Sequence, residues 1–267
     1  MKRLILTLSV LVCASPAYAT WSVIALDRRT KTVVIASATC VTASGLASRG
    51  GLKGIQAIVV PGKAVGAAQA NVDATHANQM LIYTELEKGT APAAILDLLK
   101  ADPQIESRQF GILDMQGRFV GFSGKANQAH SLDVQGQVPG TLIYYSIQGN
   151  ILASDDVVHA AEAALRSTPG QLTDRVMAAM EVADREGGDS RCSCDKPPKI
   201  DAPCTAKTAH VSYILRAEKD DKVGVSHNDG HYAMYVSVTD QDIKPTENAN
   251  PVITLRMRYD AWMKAHK

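Results

Sequence analysis

A threonine directly behind a small-residue cleavage site is the strongest chemical signal in this sequence. Residues 1–19 read as a secretory signal. Lys2 and Arg3 supply its positive start, Leu4 to Cys13 its short apolar run, and Ala17-Tyr18-Ala19 its cleavage site. A cut after Ala19 makes Thr20 the first residue of the mature chain, followed by Trp21 and Ser22. A threonine hydroxyl beside a free α-amine is a nucleophile and its general base in one residue. The amine, with a reference pKa of about 8, is partly neutral near pH 7 and can take the hydroxyl proton directly or through one water. Two other maturations compete with this one. A cut after Ala17 would leave Tyr18 first and remove the nucleophile. Lipidation of Cys13 would make that cysteine the new terminus, although Val12 before it is not the small residue such processing favours.

The remaining reactive side chains have quieter explanations. Loss of the signal removes two of the 28 basic residues and none of the 27 acidic ones, which turns a formal net charge of +1 into −1. That balance gives no support to binding of nucleic acid or an anionic membrane. The apolar run of the signal is far short of the ~20 residues that span a bilayer, so no membrane association is expected after cleavage and the mature protein is expected to be periplasmic or secreted. Cys40, Cys192, Cys194 and Cys204 survive processing, and an even count in an exported chain predicts two disulfides. Cys192 and Cys194 are too close in sequence to bond each other without strain. One is therefore expected to take Cys204 and the other Cys40. His227 and His231, four apart, invite a metal reading with the cysteines. But Asn228-Asp229-Gly230 between them is a turn signal, and export favours disulfides over zinc. The reading calls for no metal and no cofactor.

The elements that must position Thr20 follow from periodicity. Apolar β-branched runs at 21–26 and 32–37, separated by Asp27-Arg28-Arg29-Thr30-Lys31, predict an opening hairpin. A Gly/Ser/Ala-rich loop at 42–54 and a strand at 55–60 come next. Helices are expected at 75–88, ended by Gly89, and at 92–100, opened by Pro92. Strands are expected at 108–113 and 118–122 around Asp114-Met115-Gln116-Gly117, and at 142–147. Helices return from Ser154 and over 172–183, strands at 209–216 and 232–238, and a last helix after Pro251. Blocks of strands and blocks of helices in this order predict an α+β fold with antiparallel sheets covered by helices. The chain is expected to be one domain over 20–267. Within it, 192–207, with Cys192, Cys194, Cys204, Pro197, Pro198 and Pro203, reads as a loop insertion held by covalent links.

The opening Thr20-Trp21-Ser22-Val23-Ile24-Ala25-Leu26-Asp27 resembles the T-[FW]-S-[IV]-[VI]-A-x-D start of an uncharacterised family, DUF1028, related to the N-terminal-nucleophile (Ntn) hydrolases. The resemblance continues, in the family's order, through Ala36-Ser37, Gln69-Ala70, Arg108-Gln109-Phe110-Gly111-Ile112-Leu113-Asp114 with Gly117-Arg118, and Phe122-Ser123-Gly124. It is most specific at Gln148-Gly149-Asn150-Ile151-Leu152-Ala153 and Gly187-Gly188-Asp189-Ser190-Arg191. It departs where the cysteine-rich insertion follows Arg191, and only loosely matches an acidic D-x-R-V-D-D pattern at Tyr235 to Asp240. The resemblance implies a four-layer αββα sandwich with the processed N-terminus between the sheets and an N-terminal nucleophile. It supplies no substrate.

Candidate partners for Thr20 come from these motifs. Asn150 offers an amide NH2 to a developing oxyanion, and Gln148 and Gly149 beside it offer contacts and close approach for a substrate. A local turn satisfied by the two amides is the competing explanation. Asp189 and Arg191 either orient the α-amine and an acidic substrate group or form a structural ion pair. Lys53 lies where a cation lowers the pKa of the amine or hydroxyl, or is a solvated lysine. The expected function is an exported N-terminal-threonine hydrolase of amide or related acyl bonds acting on a small molecule or peptide. The alternatives are a non-catalytic binding protein on the same fold and a Cys/His metal-binding secreted module. A second copy of the chain is a candidate partner.

Overall fold

In the computed structural model residues 20–73 and 75–266 are described, so the expected signal at 1–19 lies outside the described residues. β1 (Thr20–Asp27) and β2 (Thr32–Thr39) form the opening hairpin, paired from Thr20 with Thr39 to Asp27 with Thr32. The Asp27 carboxylate fixes its turn by accepting the Arg29 N–H at 2.8 Å. Every residue of both strands is buried, as continuous apolar runs require of strands covered on both faces.

The remaining strands are β3 (Ala57–Val60), β4 (Ala64–Ala70), β5 (Arg108–Asp114), β6 (Phe119–Ser123), β7 (Leu132–Gln137), β8 (Ile143–Asn150), β9 (Val211–Ala217) and β10 (Met234–Thr239). They build two antiparallel sheets, in the orders β10-β9-β2-β1-β8-β7 and β3-β4-β5-β6. The helices are α1 (Ala43–Leu46), α2 (Gly51–Gln56), α3 (Ala77–Lys88), α4 (Pro92–Leu99), α5 (Asp156–Ser167), α6 (Leu172–Arg185) and α7 (Pro251–Ala265). This is the mixed α+β architecture, with two antiparallel sheets, that the order of elements predicts.

Alternation along β1 divides the core. Trp21, Val23 and Ala25 pack against Leu165 of α5, Met177 and Met180 of α6 and Leu255 of α7. On the opposite face Ile24 and Leu26 meet Val59, Val65 and Leu113 of the smaller sheet. The far side of that sheet, with Ile58, Phe110 and Ile112, is covered by Ile82 and Leu86 of α3 and Ile95 and Leu99 of α4. The two sheets therefore face each other, and helices cover both outer surfaces. Thr20 stands at one end of a central strand, at the rim of the space between the sheets.

Four local expectations need correction. The 42–54 stretch holds two short helices rather than a loop. The Thr42 hydroxyl accepts the Gly45 N–H and caps α1, and Leu46, Leu52 and Ile55 enter the core between the sheets. Burial of these side chains overrides the poor helix propensity of the glycines. The strand expected from residue 55 starts only at Ala57, because α2 continues through Gln56. Two strands were not anticipated. β4 is built largely of alanine and glycine, which give no β signal, and β7 is a half-buried edge strand with three polar residues. Within 192–207 there is no helix or strand. That segment is tied by disulfides Cys40–Cys192 and Cys194–Cys204, which settles the open pairing.

Candidate functional site

Directly paired residues of antiparallel strands project to the same face. Thr20 thus shares a row with Asn150 of β8, Thr39 of β2, Val211 of β9 and Thr239 of β10. The next row inward is Gln148, Ser22, Ser37, Tyr213 and Ser237. Both rows look toward the smaller sheet. Thr20 is buried, and its main chain is held from two sides. Its nitrogen donates to Asn150 Oδ1 at 3.2 Å, and its carbonyl accepts Gln69 Nε2 at 2.9 Å. A peptide N–H can only donate, so Asn150 presents its oxygen to residue 20. The contact makes Asn150 a holder of the nitrogen that becomes the α-amine if the chain is cut before Thr20.

Behind Thr20 lies a buried chain of amides; of its members only Gln148 is expected at the site from the sequence, as a substrate contact, and Gln56, Gln69 and Gln109 are not. Gln69 of β4 is its hub. Its Oε1 accepts Ser22 Oγ at 2.6 Å and Gln56 Nε2 at 2.7 Å. Its Nε2 reaches Gln109 Oε1 at 2.7 Å as well as the Thr20 carbonyl. Gln109 in turn donates to the Gly149 carbonyl at 2.8 Å and Ser123 Oγ at 2.7 Å. Gln148 Nε2 donates to Ser22 Oγ, and its Oε1 accepts Ser146 Oγ at 2.8 Å. Gln56 Oε1 accepts the Tyr213 hydroxyl at 3.1 Å, and burial pushes that phenol well above its ordinary pKa, keeping it a donor. Gln56, Gln69, Gln109 and Gln148 are all buried. Each unpaired amide would cost about 1–3 kcal/mol, so the mutual pairing is what permits polar rows beside apolar ones such as Ile24, Ile35 and Leu215. The signal for this network was in the sequence: single glutamines inside otherwise apolar strands must find buried partners.

Two residues in the left-handed region terminate the strands that carry the amides. Ala70, φ +71°, follows Gln69, and Ile151, φ +54°, follows Asn150. A β-branched residue is disfavoured there, at a cost of about 1–3 kcal/mol. Its conformation is held by Ser190, whose N–H and hydroxyl both donate to the Ile151 carbonyl, at 3.2 and 3.0 Å. The kink turns the chain away immediately after Asn150.

Asp189 and Arg191 assemble next to the end of β2. The Asp189 carboxylate, fully buried, takes Arg191 Nε at 3.0 Å and Nη2 at 2.7 Å and also the Cys40 N–H at 2.9 Å. It anchors the residue following Thr39, the strand partner of Thr20, and the Cys40–Cys192 disulfide fastens the same point. Gly188 lies at φ +45°, and a Cβ there would come 2.7 Å from the Trp21 ring. The Gly-Gly-Asp turn thus wraps the side of β1 opposite Thr20's hydroxyl. Gly149 pairs with Trp21, and a Cβ on it would strike Leu152 at 2.7 Å. Its bare backbone makes room for Leu152.

Lys53 lies on α2. Nζ donates to the Asn228 carbonyl at 3.0 Å and stands 5.2 Å from the Tyr235 ring centre and 5.9 Å from that of Tyr232. Burial lowers its pKa, partly offset by the carboxylate of Asp229. No described contact joins it to Thr20. His227 packs against Gly54, with Nε2 3.1 Å from the carbonyl, and 227–231 forms no helix. Among the described residues, no helix is long and apolar enough to cross a membrane.

The chain belongs to the family of unknown function DUF1028, whose match spans residues 20–195. A solved structure, that of protein SPO2555 from Silicibacter pomeroyi, also of DUF1028, is similar with a TM-score of 0.64 and 18% identity. The likeness covers 91% of this chain and 88% of that one, and at this identity it is a likeness of fold. No curated protein matches the chain.

Proposed function

We propose that this chain is an exported hydrolase in which Thr20, freed by signal cleavage, attacks an amide or related acyl bond, on an αββα scaffold of N-terminal-nucleophile type. The observation that carries the reading is the grip on residue 20: it heads a central strand between two facing sheets, its nitrogen on Asn150 Oδ1 and its carbonyl on Gln69 Nε2. Such a grip fixes an amine and the hydroxyl of the same residue relative to each other, which is what a one-residue nucleophile and base requires. The family match opens on the same residue. Two disulfides and the lack of a membrane-spanning helix among the described residues are compatible with a periplasmic or secreted location.

The reaction runs in two halves. The neutral α-amine takes the Oγ1 proton as Oγ1 bonds to the substrate carbonyl carbon, giving a tetrahedral oxyanion. With Oδ1 turned to the amine, the NH2 of Asn150 is the candidate donor to that oxyanion. Gln148, buried with its amide on Ser22 and Ser146, supports the strand beneath Thr20, and Gly149 faces Leu152 on the opposite side. Collapse breaks the bond to the leaving amine, which carries off the proton held by the α-ammonium. Water, deprotonated by the same amine, then attacks the ester carbonyl. Collapse breaks the bond to Oγ1, which takes the proton back from the α-ammonium, and the acid is released with threonine and neutral amine restored. Asp189 and Arg191 act as positioning residues through the end of β2. A non-catalytic binding protein on the same scaffold is the second reading, and the cavity beside Lys53, whose lining does not include Thr20, favours it.

The test is the intact mass and N-terminal sequence of the protein recovered from an exporting cell, followed by titration with a β-lactone. The proposal expects a chain starting at Thr20, one equivalent of label on it, and no label on Thr20→Ala. A chain starting elsewhere, or label that survives the substitution, refutes it. Retention of a ligand by Thr20→Ala with no turnover in the parent protein would select the binding protein.

A further inference from the structure

Opposite β9 and β10 stand α1 and α2 rather than the smaller sheet, and between them lies a cavity of about 220 Å³. Tyr213 of β9 pairs with Ser237 of β10, and Tyr235 lies two residues before Ser237, so the three share one face of the sheet and form one wall. Leu46 of α1 and Leu52 and Lys53 of α2 form the other. The cavity is separate from Thr20. The Tyr213 hydroxyl bonds Gln56, and Gln56 bonds Gln69, a buried chain that stands between the cavity and residue 20. Its volume is below the ~300–1,000 Å³ of pockets that take drug-sized ligands, so it fits a small occupant.

The one cation in these walls has an incomplete set of partners. Lys53 has three N–H donors, and the Asn228 carbonyl, at 3.0 Å, is the one acceptor that the described residues give it. Among those residues no carboxylate lies within salt-bridge distance of Nζ. Asp229, whose charge Lys53 feels, turns its oxygens to the N–H groups of Val225 and Ser226, at 2.8 and 3.0 Å. Nζ instead stands 5.2 Å from the ring centre of Tyr235, itself a wall of the cavity. Two N–H groups are thus left to π-electrons or water. The walls therefore combine apolar and aromatic surface with one ammonium in want of an anion.

We propose that this cavity binds a small aromatic monocarboxylate, its ring between the leucines of the helices and the tyrosines of the sheet and its carboxylate on Lys53 Nζ. One cation matches one negative charge, and a charge-assisted bond is about twice as strong as a neutral one. The rings of Tyr213 and Tyr235 stand 6.1 Å apart and 49° tilted, an arrangement that offers a third ring edge-to-face contact. A planar ligand with few rotatable bonds also loses little freedom on entering so small a space. Nothing in this site depends on the role proposed for Thr20.

The experiment titrates phenylacetate and its neutral isostere phenylacetamide into the oxidised mature protein by calorimetry, and locates them by the shifts of 13C-labelled leucine methyls. Wild type is expected to bind phenylacetate at least ten-fold tighter than the amide and to shift the Leu46 and Leu52 methyls. Lys53→Met is expected to bring the two probes level with the affinity for the amide unchanged, which shows the cavity intact, and Lys53→Arg to keep most of the preference. Thr20→Ala is expected to bind both as wild type does. Equal affinities in wild type, a preference that survives Lys53→Met, shifts confined to other leucines, or loss of binding in Thr20→Ala overturns the site. Should Lys53→Met lose both probes, the wild-type ratio and the position of the shifts decide. Titration of Thr20 with a β-lactone reads the hydrolase proposal separately, so either can fail alone.

Discussion

Replacing Gln69 by methionine keeps the length and most of the volume of the side chain while deleting its amide. Five bonds go with it: those from Ser22 Oγ and Gln56 Nε2 to its oxygen, and those from its nitrogen to the Thr20 carbonyl, Gln109 Oε1 and, at 3.4 Å, the Gln148 carbonyl. Ser22 Oγ still accepts from Gln148, and Gln109 still donates to Gly149, so neither is orphaned entirely. The Gln56 NH2 and the Gln109 Oε1 lose their described partners in a region closed to water. At about 1–3 kcal/mol for each of these two stranded groups, the expected loss is roughly 2–6 kcal/mol. Against a total stability of about 5–15 kcal/mol this is severe but survivable. For a domain of this size, about 2–4 °C per kcal/mol translates it to a fall in Tm on the order of 10 °C.

The assay is equilibrium unfolding in urea and thermal unfolding of the oxidised mature protein, with Gln135→Met as the comparison. Gln135, at the rim, bonds Asp133 and Ser146 where water can replace it, so its loss should cost about 1 kcal/mol or less. A double-mutant cycle between Gln69→Met and Gln109→Met should be strongly non-additive, because the second substitution removes a group the first had already stranded. Loss of less than about 1 kcal/mol in Gln69→Met, or additivity in the cycle, would refute the reasoning that the amides act as one unit. A further consequence concerns the site: with its carbonyl released, Thr20 should react more slowly with a β-lactone even where the variant is fully folded.

The two disulfides should contribute unequally. Cys40–Cys192 closes a separation of 152 residues and Cys194–Cys204 one of 10, so chain entropy gives at most about 5 kcal/mol for the first and about 3 for the second. Paired serine substitutions followed by urea unfolding check the order, and a larger cost at Cys194–Cys204 would contradict it. His210 gives a pH dependence. Burial first, and then the nearby Lys207, hold its pKa down to about 4, below the ordinary 6.5 of a histidine. The folded state thus refuses a proton that the unfolded chain accepts, and the stability present above about pH 6.5 is lost as pH falls toward 4. The slope of Tm against pH in that window should flatten in His210→Gln, and an unchanged slope would assign the acid sensitivity to other groups.

The fold was legible wherever periodicity and burial agree. The β1–β2 hairpin, β5, and the helices opened by Pro92 and Pro251 follow from local pattern and lie close to where the residues predict. β4 and β7 did not, for opposite reasons. β4 buries seven residues of which five are alanine or glycine, too small to register as apolar, and β7 stays half exposed at an edge. The site divides along the same line. Thr20 and Asn150 are visible in a single sequence because one follows the small-residue segment Ala17-Tyr18-Ala19 and the other sits in a distinctive motif. Their pairing across 130 positions belongs to the sheet register. Gln56, Gln69, Gln109 and Gln148 come from four separate segments, and nothing local to any of them names the others. What each announces is an unpaid polar group inside an apolar element. Four such groups in one sandwich, together with the serines that alternate with Ile24 and Ile147, imply that the space between the sheets is polar at one end. That end is where β1 begins. A chain whose first mature residue is to act as a nucleophile needs its main chain held by groups that neither move nor ionise, and a closed set of amides and hydroxyls satisfies both conditions where a carboxylate or an ammonium would compete for the proton. On this argument the glutamine network and the proposed nucleophile are one device, and loss of Gln69 should be felt in the reactivity of Thr20 before it is felt anywhere else in the site.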